Sequence, residues 1–222
     1  MPVTNRRDQE RNAVSHKAIG RLCVYRRSLR KLQAMGKPFV YSHELATEAS
    51  VSPAQVRRDL MGIGYSGSPN RGYDTSELLR SIAMLLDSPE GEGVALVGVG
   101  NLGRAIIAYM ARQRPHLFVA AAFDSDPEKI GRVIHGCRTL AVEEMPRAVR
   151  EHDLHVGIVA VPSAAAQDAA DRLVAAGIRG LLNFAPVPLR LPESIYVEEI
   201  DLTVSLEKAA YFARRSQGVG LT

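Results

Sequence analysis

The sequence predicts an α/β chain: a doubly wound, mainly parallel sheet, preceded by a small helical module and followed by one last helix. Three observations carry that reading. A glycine-rich turn, Gly98-Val99-Gly100-Asn101-Leu102-Gly103, follows a buried apolar strand and opens a helix. Short apolar runs then alternate with helical patterns to about residue 200, as βαβ units do. Before residue 88 the apolar spacing is mainly helical, and that part holds the excess positive charge.

The charge division is sharp. The 222 residues carry a net +4, but residues 1–87 hold 14 Lys and Arg against 8 Asp and Glu, a net +6. Residues 88–222 hold 14 against 16, a net −2. From Arg11 to His43 there are eight basic residues and no acidic one. A polyanion partner for the first part follows, because a purely structural surface helix mixes signs to gain i,i+4 pairs. With 46% hydrophobic and 23% charged residues the chain is globular in composition. No apolar run reaches the roughly 18–20 residues of a membrane span. The start, Met1–Glu10, has no apolar signal core. Two cysteines make no disulfide framework. The expectation is a cytoplasmic protein with no membrane association. The absence of Trp argues against single-strand binding on aromatic platforms.

Residues 1–16 are polar and read as a flexible extension. From Lys17 to Met35, Ile19, Leu22, Cys23, Tyr25, Leu29 and Leu32 form a helical stripe, which places Cys23 in the core, and Gly36 and Pro38 end it. Ser42 reads as the cap of a helix His43–Ala49. In Ser52-Pro53-Ala54-Gln55-Val56-Arg57-Arg58-Asp59-Leu60, Ser52 is a cap, Pro53 fills the first helical position, and Gln55 completes a capping box. Two short helices joined by Ser50-Val51-Ser52 form a helix-turn-helix. Its second helix starts with Ser52, Ala54 and Gln55 and then shows Arg57 and Arg58, which suits entry into a DNA major groove. The glycine-rich stretch from Met61 to Tyr73 places Arg71 near the tip of a wing, within reach of a minor groove or phosphate. Lys17 and Arg21, on the helix before the reading helix, are expected at the DNA backbone. A helix Thr75–Leu86, capped by Thr75 or Asp74, completes a winged helix over residues 17–87. Residues 88–93 have linker composition.

The glycine motif alone is weak, but here a strand precedes it, a helix follows to Arg112, and Asp124 ends the next strand, 26 positions after Gly98. That is the context of a Rossmann dinucleotide site, here spanning residues 94–203. Gly98 permits the turn, Gly100 admits the pyrophosphate, and Gly103 lets helix meet strand. Backbone N–H groups of Val99, Asn101 and Leu102 and the helix dipole suit an anion. Asp124 would accept ribose hydroxyls and repel a 2′-phosphate. No arginine lies immediately beyond it, although Lys129 and Arg132 come later, so NAD(H) is favoured over NADP(H). Further strands are read at Arg138–Val142, His155–Val161, Ile178–Phe184 and Ile195–Ile200, with helices at Glu143–Arg150 and Ser163–Ala176. Ligands bind at strand carboxyl ends in such sheets, so Val161, Pro162, Asn183, Phe184, Ala185 and Pro186 should border the nicotinamide half, with Tyr109 as a further wall. The last helix, about Val204–Arg215, lies in a segment 204–222.

His152 and His155, on a helix-to-strand turn, do not make a metal site, and His135-Gly136-Cys137 is equally thin. No metal is expected. Asp168 and Asp171 read as a solvated helix face.

Together, Gln55–Leu60, Arg71-Gly72-Tyr73, Gly98–Gly103, Phe123-Asp124-Ser125-Asp126-Pro127-Glu128-Lys129-Ile130-Gly131, Ala175-Ala176-Gly177-Ile178 and Leu182-Asn183-Phe184-Ala185-Pro186 resemble the redox-sensing transcriptional repressor family Rex in order and spacing. The resemblance covers about residues 17–217. It implies a homodimer whose C-terminal helix is exchanged between subunits, and a palindromic double-stranded operator that is released when NADH binds. NAD⁺ would compete weakly and favour the DNA-bound form. It also implies that Tyr109, Asp201 and Arg27 couple the domains near the dimer interface. The implied protein is not an enzyme, and no catalytic residue is expected. Two alternatives stand beside it: an NAD-dependent oxidoreductase, and a CoA-type nucleotide module that binds a protein through its basic helices. The oxidoreductase would need a positioned acid/base, for which Ser163 and Asn183 are poor groups.

Overall fold

A computed structural model describes residues 14–68, 70–88, 91–113 and 117–217. The chain divides into two compact units between Ser88 and Pro89.

In the first unit, α1 (His16–Ala34) starts one residue before the expected Lys17, because Ser15 caps it by accepting from the Ala18 N–H at 3.3 Å. The expected flexible extension otherwise falls on residues 1–13, outside the described residues. Leu22, Tyr25 and Leu29 bury one face of α1, whereas Cys23 is exposed. The core expectation for Cys23 fails because it sits one position past Leu22, at the edge of the stripe. β1 (Phe39–Val40) precedes α2 (Ser42–Ala49). The cap of α2 is Tyr41, not Ser42. The Glu44 carboxylate accepts from the Tyr41 N–H at 2.9 Å, which leaves the Ser42 hydroxyl available elsewhere. Ser50, with φ 53°, turns the chain left-handed into α3 (Pro53–Gly62).

β2 (Tyr73–Asp74) pairs antiparallel with β1, and Ser68 and Gly72 exchange backbone hydrogen bonds at 2.8 Å just before it. This is the wing. α4 (Thr75–Leu86), capped by Asp74, packs on α1 and closes a core of Leu22, Tyr25, Leu29, Leu45, Val56, Leu60, Leu78 and Ile82. Each of these is fully or almost fully buried, a contribution of roughly 1.5–3 kcal/mol per large side chain. Arg26 is paired with Asp87 beyond the end of α4.

In the second unit, β3 (Glu92–Val97), α5 (Asn101–Gln113), β4 (Leu117–Asp124), β5 (Val133–Ile134), β6 (Cys137–Ala141), α6 (Met145–Glu151), β7 (Val156–Val159), α7 (Ser163–Ala176), β8 (Gly180–Asn183) and β9 (Tyr196–Glu199) follow in order. The strands are ordered β5-β6-β4-β3-β7-β8-β9, and all pairs are parallel except β5 with β6. This is the doubly wound order, and it reverses direction between β3 and β7. Strand β3 alternates as buried strands must: Val94 and Leu96 face Ile107 and Met110 of α5, and Ala95 and Val97 face Leu173 of α7 and Met145 of α6.

Hairpin β5–β6 was not anticipated. His135 (φ 47°) and Gly136 (φ 86°) form its two-residue turn, which accounts for the His-Gly-Cys sequence without any ligand. A last helix, α8 (Leu202–Gln217), begins two residues before the expected Val204. No described helix is long and apolar enough to cross a membrane.

Candidate functional site

At the carboxyl ends of β3 and β4, the glycine motif takes three distinct physical roles. Gly98 has φ 99°, and a Cβ there would lie 2.4 Å from the Ala160 carbonyl oxygen. A Cβ on Gly103 would lie 2.0 Å from the Gly98 carbonyl oxygen. A Cβ on Gly100 would meet nothing within 4 Å. Packing therefore demands glycine at 98 and 103, while at 100 the space opens outward.

Gly100, Asp126 and Lys129 lie where two clefts meet. One, of about 370 Å³, is lined also by Asn101, Arg104, Arg132 and Ile134. The other, of about 510 Å³, runs along Gly98, Asp124, Glu143, Ala160, Val161 and Pro162 to Asp168 and Arg172. It spans the reversal between β3 and β7, where ligands of this sheet type bind.

Asp124 is buried and already engaged. Its Oδ2 accepts from the Val99 N–H at 2.8 Å, its Oδ1 accepts from the Asp126 N–H at 2.9 Å, and Lys129 Nζ lies 3.3 Å away. Burial pushes its pKa up, but these donors outweigh burial and hold the carboxyl below its ordinary range. The Val99 N–H is thus committed, so the free first-turn donors belong to Asn101 and Leu102. Asp126 is only partly buried and borders both clefts.

Sequence reading missed Arg104 and gave Lys129 and Arg132 no place in the site. Arg104, whose Nη2 donates to Asn101 Oδ1 at 2.7 Å, joins Lys129 and Arg132 at the first cleft. The signal was available: Arg104 is in the first turn after Gly103, and Lys129 follows the Asp126-Pro127 turn. Asp168 and Asp171, read as a solvated helix face, are both exposed; Asp168 also borders the second cleft with Arg172, whose Nε lies 2.8 Å from Asp168 Oδ2.

Five expected nicotinamide neighbours line neither cleft: Tyr109, Asn183, Phe184, Ala185 and Pro186. Asn183 is fully buried and consumed by structure. Its amide donates to the Val187 carbonyl at 2.9 Å and to Glu199 Oε2 at 2.6 Å, and its oxygen accepts from the Ala185 N–H at 3.0 Å. It ties β8 to β9 and to the loop between them. Tyr109 is 57% exposed on α5. Asp201 caps α8 by accepting from the Val204 N–H at 2.9 Å, and Arg27 is exposed on α1. His152 and His155 are both exposed, and no group of three or more metal-ligating side chains occurs among the described residues.

In the first unit, Ser52 Oγ accepts from the Gln55 N–H at 3.2 Å, the expected cap. The reciprocal half is absent, because Gln55 Nε2 turns to Asp59 Oδ1 at 2.8 Å. Arg21 is a correction of the same kind. Its Nε and Nη2 grip Asp59 at 2.6 and 2.7 Å, and Tyr25 donates to the same carboxylate at 2.9 Å. Arg21 is therefore a clamp on α3 rather than a free cation for a nucleic-acid backbone. Asp59 is buried, which raises its pKa, but the donors from Arg21, Gln55 and Tyr25 outweigh burial and keep it ionised. Ala54, Arg57, Arg58, Lys17 and Arg71 are exposed. Arg57 Nη1 donates to Ser42 Oγ at 3.1 Å, and the Arg71 guanidinium lies 5.9 Å from the centre of the Phe39 ring.

A winged helix and a dinucleotide-type Rossmann unit in one chain define a ligand-responsive nucleic-acid-binding protein. Comparison with known proteins agrees with both halves. Residues 13–60 match the family described as putative DNA-binding protein N-terminus, and residues 90–187 match the CoA binding domain family. The chain is 42% identical over 189 residues to the redox-sensing transcriptional repressor Rex of Desulforamulus reducens, covering 85% of this chain and 90% of that protein. It is 40% identical over 197 residues to Rex of Carboxydothermus hydrogenoformans, covering 89% and 95%. A solved Rex-family repressor, RSP, in complex with β-NAD⁺ and operator DNA superposes with a TM-score of 0.83 at 30% identity, covering 92% of this chain and 94% of that one. RSP in complex with β-NADH gives a TM-score of 0.80. The chain belongs to the Rex family of redox-sensing transcriptional repressors.

Proposed function

We propose that this protein binds double-stranded operator DNA as a homodimer through its winged helix, and that NADH in its Rossmann unit releases it. The observation that carries this reading is Gly100. Its missing Cβ leaves open space where two clefts join at a helix N-terminus, a fit for a pyrophosphate with a nucleoside on either side. Arg104, Lys129 and Ile134 would hold the adenosine half, and Asp126 beside Asp124 would take the ribose hydroxyls. Ala160, Val161 and Pro162 would border the nicotinamide half, which carries the redox-dependent charge.

That charge is the signal. Oxidised nicotinamide is a cation and the reduced ring is neutral, so an apolar wall penalises the oxidised form by desolvation. Each form can shift the protein only by its differential affinity for the DNA-bound and released states. Helix α8 leaves Leu202, Leu206, Tyr211 and Phe212 exposed around its circumference, apolar surface of the kind a subunit exchange would bury.

Titrating the full chain with NADH and NAD⁺ tests the site: NADH is expected to bind at least tenfold more tightly. The match to a CoA binding family favours keeping one second reading, a CoA-type ligand. Tighter binding of CoA than of NADH would establish it. An oxidoreductase is set aside, because Asn183 is locked in structure and Asp168 is paired with Arg172. Loss of NADH absorbance at 340 nm with a small substrate would reverse that conclusion.

A further inference from the structure

Helices α1 and α4 of the first unit meet through Leu22, Tyr25 and Leu29 on one side and Leu78 and Ile82 on the other. That apolar contact ends early on α4. Ile82 is its last buried residue; Met84 and Leu85 are exposed, and Leu86 is only partly buried. The core alone therefore holds the last turn of α4 weakly.

The electrostatics of that turn are also unfavourable. Carbonyl groups at a helix C-terminus favour a nearby cation, yet the last turn of α4 carries none, and Asp87 follows it directly. Arg26 of α1 supplies the missing charge from across the contact, its Nη1 donating to Asp87 Oδ1. Only 13% of the Arg26 side chain and 30% of the Asp87 side chain are exposed, so water screens this pair less than an ordinary surface ion pair. The Asp87 N–H closes the turn by donating to the Ala83 carbonyl at 2.8 Å, and at Asp87 itself the backbone becomes extended, with φ −104° and ψ 136°. The first unit ends one residue later, at Ser88. Arg26 thus grips the residue where the chain stops being helical, immediately before it leaves for the second unit. At the other end of the same helix pair, Gln33 Nε2 donates to Ser76 Oγ at 3.2 Å, an exposed and neutral bond. The charged anchor stands at the end that leads to the ligand-binding unit.

We infer that the Arg26–Asp87 pair is a latch: it fixes where α4 ends and in which direction the chain leaves it, and so sets how fully NADH in the second unit is felt at the DNA. The inference rests on the reading in which NADH releases the duplex. A last turn that frays absorbs a displacement in its own dihedrals, whereas a wound and anchored turn passes it on.

Two single variants of the full chain test the latch, Arg26→Gln and Asp87→Asn, with the charge exchange Arg26→Asp/Asp87→Arg as a third. The single variants change the net charge in opposite directions, so an effect they share does not come from general attraction to DNA. Hydrogen exchange read by mass spectrometry reports on the turn itself. In both single variants the amides of residues 84–88 should exchange about threefold faster, and the exchanged pair should recover the protection. Fluorescence anisotropy, on a duplex that the protein selects from a randomised pool, reports on the coupling. The ratio of DNA affinities without and with saturating NADH should fall by about threefold in both single variants and return in the exchanged pair, while NADH affinity of the DNA-free protein stays within about twofold of the wild type. Unchanged exchange at 84–88 would overturn the latch. Faster exchange with an unchanged ratio would overturn its part in the coupling. An effect confined to one single variant, or not recovered by the exchanged pair, would assign it to one charge rather than to the pair and overturn the inference as well. If NADH leaves the wild-type affinity for the duplex unchanged, the release reading fails, and exchange at 84–88 still decides whether Arg26 holds the end of α4.

Discussion

At the scale of single residues, Asp59 shows how much a helix face can conceal. In the sequence it follows two arginines, and nothing local marks it as buried. In the structure it is 6% exposed and anchors Arg21, Tyr25 and Gln55. Asp59→Asn should destabilise the first unit by about 3 kcal/mol, the low end for a broken buried pair because Arg21 keeps some contact with water. Urea unfolding followed by circular dichroism measures it. The sign with pH is fixed: the folded pKa is lowered, so the stabilisation is present above the ordinary carboxylate value near 4. It is lost as pH falls through the folded value, and Asn at 59 should flatten that acid limb. The glycines make a second residue-scale test. Gly100→Val should fold normally and lose NADH binding, whereas Gly98→Ala and Gly103→Ala should lower the melting temperature, because each drives a Cβ into backbone. A Gly100→Val chain that still binds NADH with wild-type affinity would remove the pyrophosphate from this turn.

At the scale of elements, legibility followed locality. Helix starts marked by Ser52 and Asp74 are visible because a cap acts within three residues, whereas the Ser15 cap was lost in the polar start of the chain. The buried strands β3 and β4 are visible as short apolar runs. What stayed hidden depends on residues far apart in the chain: the β1–β2 pairing of Phe39 with Asp74 and Val40 with Tyr73, the commitment of Arg21 to Asp59, and the locking of Asn183 by Glu199 and the loop after β8. Hairpin β5–β6 was missed for another reason: β6 is the strand read at Arg138–Val142, but β5 has two residues and is too short to show a period. The wing is the element most dependent on single residues. Gly72 has φ 75° and sits against Val40, so Gly72→Ala should misplace Arg71 and weaken DNA binding while α1 and α3 remain helical. Helix α8 makes the opposite case, since little of it is buried in one chain. Leu206→Glu, at a residue 70% exposed, should leave the fold of the Rossmann unit intact and shift sedimentation from dimer toward monomer. An unchanged dimer would exclude this face from the interface.

At the scale of the whole molecule, the charge division becomes a division of labour. The net +4 is the difference between a +6 unit and a −2 unit. In the proposed site the anion of the second unit would be met by helix N–H groups, which need no basic surface, and the nearby cations Arg104 and Lys129 are held by Asn101 and Asp124. The first unit spends Arg21 on its own core, so its attraction for DNA rests on Lys17, Arg57, Arg58, Arg71 and the exposed arginines of α1, and it should decline steeply with salt. The central claim joins the two units: a neutral dihydronicotinamide and a duplex exclude one another. A hundredfold loss of DNA affinity requires only about 2.7 kcal/mol of differential ligand binding between the two states. The most direct measurement is binding of the full chain to its selected duplex at fixed salt, without ligand, with saturating NAD⁺ and with saturating NADH. NADH should lower the affinity by tenfold or more while NAD⁺ leaves it unchanged or raises it. Equal affinities in all three conditions would contradict the account.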